Sequence, residues 1–223
     1  MRLKPHSHGA RDYMPGCSHD ALLPFYDIVQ RLAGIPALHK RLVDQADIGD
    51  TDAVLEVGCG TGNLTLLAKS LHREAELTGA DPDPLALARA RQKATARGLD
   101  VCLDQAYGQD LPYTDGSFDH VLSAFMLHHL GSDVKGGMLR EANRVLRPGG
   151  WLHLVDFGGR MSRSDGPMAR LQRRSSLLRG NLGDAIPTRL REAGFVELRE
   201  QAVVTRRIGR ATFYQATAHP ARG

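Results

Sequence analysis

Cysteine is rare in this sequence of 223 residues, long apolar runs are missing, and aromatic residues make up only 5% of the composition. The three cysteines, Cys17, Cys59 and Cys102, are odd in number and show no CxxC spacing. They therefore favour reduced thiols over disulfides or a zinc site. No apolar run approaches the ~18 residues of a membrane span. Residues 1–16 lack the apolar core of a secretory signal, so we expect a cytoplasmic protein.

Lysine is absent from residues 160–210, where twelve Arg stand against five acidic residues. This is a local excess of +7, whereas the whole chain carries only +4. Such a segment is compatible with binding a nucleic acid or an acidic substrate. The alternative is a solvated, Arg-rich helix surface, which we favour because no interleaved aromatic residues accompany the charge.

The hydrophobic and charged fractions, 42% and 24%, are typical of a folded globular chain, and the length fits one α/β domain. From about residue 51, short β-rich segments alternate with helical ones, which predicts a mostly parallel sheet covered on both faces. The predicted strands are 53–57, 75–80, 100–104, 118–124 and 151–156. Residues 195–205 and 211–219 are then predicted to pair as a hairpin, which makes the last strand antiparallel.

Several helix boundaries are marked in the sequence. A helix is predicted over 84–97, with Asp83 as its N-cap, Pro84 at its first position and Gly98 just after its end. Another is predicted over 134–146, where the sequence RPGG ends it, and two more near 167–179 and 185–193. Two amphipathic helices, separated at Gly34, precede residue 50. We interpret residues 1–50 as an N-terminal helical lid and residues 51–223 as the main domain.

The sequence VLEVGCGTGNL at residues 54–64 places Gly58, Gly60 and Gly62 between a strand and a helix. Such a loop exposes main-chain N–H groups and the positive end of a helix dipole, which favours an anion or a carboxylate. Its GxGxG spacing differs from the GxGxxG of dinucleotide-binding domains. Asp81, at the end of the second predicted strand, fits a ribose-binding acid in either case. Only the glycine spacing can therefore distinguish this loop from that of a dinucleotide-binding domain.

Together with five further segments, this loop resembles the class I S-adenosylmethionine (SAM)-dependent methyltransferases over residues 50–219. The similar segments are LEVGCGTGNL, GADPDPLAL, DLPYTDGSFDHVLS, FMLHHL and LREANRVLRPGGWLHLVDF, followed by the C-terminal hairpin. The likeness is strongest to the small-molecule branch that includes the ubiquinone and menaquinone biosynthesis C-methyltransferases. It implies a Rossmann-like, doubly wound α/β sheet of seven strands, mostly parallel, with an antiparallel C-terminal hairpin strand.

The resemblance also implies that SAM is the methyl donor and S-adenosylhomocysteine (SAH) the product. The three loop glycines then approach the methionine part of SAM, Glu56 lies near its ammonium group, and Asp81 accepts both ribose hydroxyls. The alternatives are that Glu56 caps the loop and that Asp81 only begins the turn before Pro82. Cys59 would fill a small space beside the ligand. The implied cofactor-binding set is Glu56, Gly58, Cys59, Gly60, Gly62, Asn63, Asp81, Pro82, Tyr107, Gly108, Ser123 and Phe125.

One position departs from the family pattern. Tyr107 and Gly108 stand where the family has an Asp-Ala pair, whose aspartate receives the adenine amino group. We expect Tyr107 to stack on the base or to offer its hydroxyl, and the backbone of Gly108 to bond the ring. Asp110 is a weaker substitute.

Methyl transfer from a sulfonium is an in-line displacement. The protein aligns donor and acceptor, excludes water and, where required, removes a proton. His128 and His129 are the predicted bases, because the segment after the fourth strand lies at the carboxyl end of the sheet and histidine titrates near neutrality. Neighbouring helical residues point about 100° apart, so we expect one of them, with His128 preferred, to face the site. The alternative is that both only pack or cap a helix.

Three residues near the N-terminus complete the predicted site. Tyr26 is a third catalytic candidate, carried over SAM by the lid, or else a core residue. Tyr13 and His19 are predicted substrate contacts together with His128, although His19 also fits an ordinary helix start. No metal site is predicted, because HxxxH and paired cysteines are missing, but the combination of His128, His129 and Asp156 stays open.

The sequence therefore predicts a SAM-dependent methyltransferase that acts on a small molecule, as a monomer or homodimer. An alternative is a nucleic-acid methyltransferase or binder that uses the Arg-rich residues 160–210. A more remote alternative is an NAD(P)-dependent oxidoreductase. The acceptor itself is not encoded in the fold or the cofactor loop.

Overall fold

The structure, a computed structural model, describes residues 32–176, 178–205 and 209–219. Within these ranges one sheet is formed by strands β1 (Ala53–Val57), β2 (Glu76–Asp81), β3 (Cys102–Gln105), β4 (Phe118–Ala124), β5 (Leu146–Phe157), β6 (Val196–Thr205) and β7 (Gly209–Thr217). The strand order is β3-β2-β1-β4-β5-β7-β6. The strands from β3 to β5 are parallel, whereas β7 runs antiparallel to both β5 and β6. The predicted fold class is confirmed.

Six helices flank the sheet in the described ranges: α1 (Ile35–Ala46), α2 (Asn63–Leu71), α3 (Pro84–Arg97), α4 (Ser132–Val145), α5 (Gly166–Gln172) and α6 (Ala185–Glu192). Short 3-10 turns lie at Leu127–His129, Arg163–Asp165 and Arg179–Asn181. The boundaries of α3 follow the prediction. The Asp83 side chain accepts hydrogen bonds from the N–H groups of Leu85 and Ala86, and Gly98 ends the helix with a left-handed φ of 59°.

Two separate cores cover the two faces of the sheet, because successive strand residues point to opposite sides. On one face Leu154 of β5 packs with residues of α4 and α6, including Met138 and Ile186. On the other face Val155 packs with residues of α1 and α2, including Leu42. With helices on both faces, the sheet leaves the carboxyl ends of its parallel strands as the place for a ligand.

Two predicted boundaries were wrong. Strand β5 begins at Leu146 rather than at residue 151, because Leu146 already pairs with Phe118, and the RPGG segment forms an irregularity before pairing resumes at Trp151. The helix predicted near 167–179 ends at Gln172, whose side chain accepts the N–H of Arg210 on β7 at 2.8 Å. Serines follow closely at 175–176 and favour turns over helix.

The first of the two predicted N-terminal helices, over residues 22–34, lies outside the described residues except for its last three. The second is α1, which packs on the sheet beside α2, and the side chain of Gln215 on β7 donates to the carbonyl of Gln45 at 3.1 Å. The division into a lid over residues 1–50 and a main domain from residue 51 stays a prediction.

Candidate active site

The glycine loop follows β1 at the carboxyl edge of the sheet. Gly58, Gly60 and Gly62 all have positive φ, at 78°, 51° and 76°. A Cβ on Gly58 would lie 2.4 Å from Cγ of Met126, and one on Gly62 would lie 2.9 Å from Cβ of Ala90. Apart from adjacent residues, no atom of the described chain lies within 4 Å of the Cβ position of Gly60. The loop is therefore packed at both ends and open at its centre, which allows a ligand to approach its main chain.

Asp81 joins this open centre to the end of β2. Its Oδ2 accepts the N–H of Gly60 at 2.8 Å, and its Oδ1 accepts the N–H of Asp83 at 2.9 Å. Burial raises the pKa of the Asp81 carboxyl. Asp81 does begin the turn before α3, as the alternative interpretation stated, but the same carboxylate also contacts the glycine loop. Each oxygen keeps a further lone pair for another donor.

Glu56 lies beneath the loop and is only 3% exposed. Its Oε2 forms a short hydrogen bond with the hydroxyl of Thr65 in the first turn of α2. Burial raises the pKa of Glu56 to about 7. This contact is the one expected if Glu56 caps the loop and helix. Its predicted proximity to the ammonium group of SAM stays a prediction.

The segment after β3 turns sharply beside Asp81. Tyr107 and Asp110 form an isolated antiparallel bridge, and the N–H of Asp110 donates to the carbonyl of Tyr107 at 3.0 Å. A Cβ on Gly108 would lie 3.1 Å from the side chain of Val57, the last residue of β1. The predicted adenine-binding pair is therefore brought next to the glycine loop, with the backbone of Gly108 close to β1.

The other predicted cofactor residues surround the loop. Cys59 is buried against Gly79, and a Cβ built on Gly79 would lie 3.0 Å from the Cys59 Sγ, so Cys59 fills a small space there. That this space adjoins the ligand stays a prediction. Ser123 donates to the carbonyl of Val57 at 3.1 Å, and the Asn63 amide oxygen accepts the ammonium of Lys93 at 2.7 Å.

Two more members of that set lie at the ends of strands. The carbonyl of Pro82 accepts the side-chain amide of Gln105 at 3.1 Å. Phe125, directly after β4, holds a left-handed φ of 52° and is 8% exposed. A non-glycine residue in this conformation is uncommon and is concentrated at functional sites. Such contacts fix the strand ends that surround the loop.

His128 and Asp156 form a hydrogen-bonded pair at the same edge of the sheet. Nδ1 of His128 lies 2.6 Å from Oδ1 of Asp156, and the main-chain N–H of His128 donates to Oδ2 at 3.0 Å. The N–H of Phe157 also donates to Oδ1 at 2.6 Å. Asp156 is 1% exposed, and three donors therefore fix its orientation. The sequence indicated Asp156 only as a possible metal ligand, and its pairing with His128 was not predicted, although a lone carboxylate near the end of β5 was a usable signal.

His129 follows His128 in the same short turn and is partly buried. Its pKa falls to about 4, because burial and the adjacent His128 disfavour the charged form. The two rings have centroids 4.0 Å apart, and the His128 ring lies 5.3 Å from that of Phe157, which is 4.8 Å from Phe125. An aromatic row, defined here as Phe125, Phe157, His128 and His129, therefore borders the His128–Asp156 pair.

The remaining predicted residues, Tyr13, His19 and Tyr26, lie outside the described residues. Among the residues that the structure describes, no group of three or more His, Cys, Asp or Glu side chains is arranged to hold a metal ion. In the same part of the chain, no helix combines the length and apolar character needed to cross a membrane.

Several arginines of the Arg-rich segment have local partners. Arg160 pairs with Asp184 at 2.5 Å and Arg210 pairs with Asp165 at 3.1 Å. Arg189 donates to the carbonyls of its own helix and of the preceding turn. These contacts fit the interpretation that the charge serves local structure and solvation.

Comparison with known proteins agrees with this fold and loop. Residues 54–150 match the family model described as a methyltransferase domain. The demethylmenaquinone methyltransferase of Deinococcus radiodurans is 31% identical over 205 residues, which cover 88% of this chain and 84% of that protein. The demethylmenaquinone methyltransferase of Thermus thermophilus is 40% identical over 139 residues, which cover 61% of this chain but only 62% of that protein. Among solved structures, the 4+2 cyclase SpnF has a TM-score of 0.70 at 22% identity and covers 83% of this chain and 81% of its own.

The Rossmann-like sheet with its antiparallel β7, the GxGxG loop after β1 and the acid at the end of β2 define a SAM-dependent methyltransferase fold. With a relative 31% identical over 88% of this chain, the chain belongs to the class I SAM-dependent methyltransferases, an enzyme family. The likeness to SpnF, at 22% identity, shows the fold alone.

Proposed function

We propose that this chain transfers the methyl group of SAM to a small-molecule acceptor, with His128 as the general base. The observation that supports this most directly is the His128–Asp156 pair. It lies at the carboxyl ends of β4 and β5, on the sheet edge that also carries the glycine loop and Asp81.

The residues at this edge fit SAM. The Cβ position of Gly60 is open, and Asp81, which accepts the N–H of Gly60, keeps lone pairs on its two carboxylate oxygens for the two ribose hydroxyls. In the proposal the loop glycines and Asn63 follow the methionine part, with Glu56 below its ammonium group. Tyr107 and Gly108 hold the adenine, and the wall is completed by Cys59, Pro82, Ser123 and Phe125. When bound, SAM supplies a methyl group activated by a positively charged sulfur.

The geometry of His128 suits proton removal. The carboxylate of Asp156 can only accept hydrogen bonds. Nδ1 of His128 therefore carries the hydrogen of their 2.6 Å bond, and Nε2 keeps its lone pair. Nε2 then takes the proton of the acceptor as its nucleophilic atom attacks. Asp156 holds the ring in this tautomer and stabilises the imidazolium that forms. Burial lowers the pKa of His129 to about 4, so His129 is a weak base.

The aromatic row supports a planar acceptor. The centroids of neighbouring rings in this row lie 4.0 to 5.3 Å apart, and a planar acceptor would extend the row at the spacing of packed aromatic pairs. Both relatives compared above are named for demethylmenaquinone. We therefore propose an aromatic acceptor of the quinone class in its reduced form, where a hydroxyl group provides the proton that His128 removes.

The proposal is tested in two steps. Calorimetric titration of the full chain with SAH should show binding. Incubation with SAM and a panel of reduced quinones, phenols, thiols and amines should then give a methylated product, detected by mass. His128→Ala should lower the rate about 10²- to 10⁴-fold while SAH binding is kept, and His129→Ala should lower it less. A folded chain that does not bind SAH, or a His128→Ala variant with the full rate, would contradict the proposal.

A further inference from the structure

A buried lysine is linked through the Asn181 side chain to the end of β5, the strand that carries Asp156. Lys135, in the first turns of α4, is 2% exposed, and its Nζ donates to Oδ1 of Asn181 at 2.6 Å. Asn181 is itself fully buried and donates through Nδ2 to the carbonyl of Phe157, the residue after Asp156, at 3.3 Å. Within the described part of the chain Lys135 forms no ion pair, so its only hydrogen-bond acceptor is a neutral amide.

An ammonium group in this position needs negative charge nearby, because burial without a counter-charge is costly. Burial lowers the pKa of Lys135, and the charge of Asp156 acts against this effect. Asp156 is therefore the carboxylate that electrostatically supports Lys135. The same carboxylate holds Nδ1 of His128. Lys135, Asp156 and His128 thus form one electrostatically connected group.

The turn at Arg179–Asn181 leaves space for the side chain of Lys135. A Cβ on Gly180 would lie 2.9 Å from Nζ of Lys135, so a larger residue there would displace the ammonium group. A Cβ on Gly158 would lie 2.4 Å from the carbonyl oxygen of Asn181. Two glycines therefore allow Asn181 and Lys135 to approach the end of β5 closely.

We infer that Lys135 is a positioning residue for the proposed methyl transfer. Its ammonium group, fixed by Asn181, offsets the charge of Asp156 and so sets how readily His128 takes up a proton. The inference rests on the proposed function only in giving His128 the role of base. The electrostatic connection exists without an acceptor.

The charged and titratable groups around His128 come from several elements. Asp156 faces it from β5 and His129 from its own turn, Lys135 lies on α4, and Arg189 of α6 is near Lys135. A carboxylate beside an imidazole favours its protonated form, and a nearby cation opposes it. Removing the charge of Lys135 leaves Asp156 less compensated, so His128 should take up its proton at a higher pH.

The test is a histidine titration by nuclear magnetic resonance on the ¹⁵N-labelled full chain, with the imidazole of His128 assigned through His128→Gln. The variants are Lys135→Met, Lys135→Gln, which keeps a donor for Asn181, and Lys135→Arg, which keeps the charge. Lys40→Met is the matched control, since Lys40 is exposed on α1 and pairs with Asp44. We expect the midpoint of His128 to rise by at least about 0.5 pH unit in the Met and Gln variants. It should stay near the wild-type value in the Arg and Lys40 variants.

If Lys135 only stabilises the fold, the measurements give a different result. The Met and Gln variants would then lose stability in urea denaturation with no change in the His128 midpoint, which would overturn the inference. An equal change in Lys40→Met would overturn it as well. If the Met variant does not fold, the Gln variant decides. The proposed function fails separately. It is contradicted if the wild type does not bind SAH or if His128→Ala keeps full activity, and neither result changes the His128 titration.

Discussion

The main-chain N–H of Gly60 donates to Oδ2 of Asp81 at 2.8 Å, which ties the centre of the glycine loop to the end of the neighbouring strand. The N–H groups of Gly58 and Cys59 reinforce this link by donating to the carbonyl of Ala80 at 2.8 and 3.1 Å. The loop and the acid are therefore one structural unit. A change at Asp81 should affect both the loop conformation and the ligand.

Asp81→Ala should weaken SAH binding at least about tenfold, because it removes charge-assisted acceptors worth about 1.5 to 3 kcal/mol. Calorimetry measures this directly. Asp83→Ala is the matched control. Asp83 caps α3 through Leu85 and Ala86, so its loss should cost about 1 kcal/mol of stability and leave SAH affinity within about twofold. Equal affinity losses in the two variants would contradict a specific role of Asp81.

Gly60→Ala should separate ligand binding from folding. Gly60 and Gly98 both have positive φ, 51° and 59°, with open space at their Cβ positions. Alanine at either position should therefore lower the free energy of unfolding by a similar amount, ~1 kcal/mol. Only Gly60→Ala should lose SAH affinity, since its methyl group enters the space left for the ligand. Gly60→Ala with wild-type affinity would remove the loop centre from the proposed site.

Gly58→Ala tests the packing at the start of the loop. Its methyl group would lie 2.4 Å from Cγ of Met126, so we expect a loss of roughly 2 to 4 kcal/mol in urea denaturation. Met126→Ala removes the obstructing atom. The double variant should accordingly be less destabilised than the sum of the two single variants, by about 1 kcal/mol. Strict additivity would show that the clash is relieved elsewhere.

The fold and the loop could be predicted because they depend on local signals. Glycines at fixed spacing, the capping Asp83 and the strand–helix alternation each constrain a few neighbouring residues, and the structure keeps all three. Where tertiary contacts decide, prediction was weaker. The helix near 167–179 ends early at Gln172, whose side chain bonds to the distant Arg210.

The polar partners in the site depend on long-range approach and were missed. His128 and Asp156 are 28 residues apart, and Lys135 and Asn181 are 46 apart. One local signal for Lys135 did exist. It precedes Met138, Leu139, Ala142 and Val145 at the spacing of the buried face of α4, so a lysine occupies a core position of an amphipathic helix. A charge in such a position indicates a buried polar partner.

Glu56 should make stability depend on pH in a direction opposite to that of most carboxylates. Burial raises its pKa from 4.5 to about 7, so the folded state holds the proton more tightly than the unfolded state. The stabilising effect of this proton is complete below about pH 4.5 and is lost as the pH rises to about 7. A shift of this size corresponds to roughly 3 kcal/mol at most.

Glu56→Gln removes this dependence while keeping an acceptor for the hydroxyl of Thr65. In urea denaturation the unfolding free energy of the variant should exceed that of the wild type by less than about 1 kcal/mol at pH 5 and by up to about 3 kcal/mol at pH 8. Glu76→Gln, an exposed residue at the start of β2, is the control and should show no pH-dependent difference. Comparing variant with wild type at each pH removes the effects of the buried histidines His39 and His153, whose lowered pKa values act on both proteins alike. A constant difference between pH 5 and pH 8 would mean that Glu56 is ionised in the folded chain at both, and that Thr65 and the loop supply enough donors to keep it so.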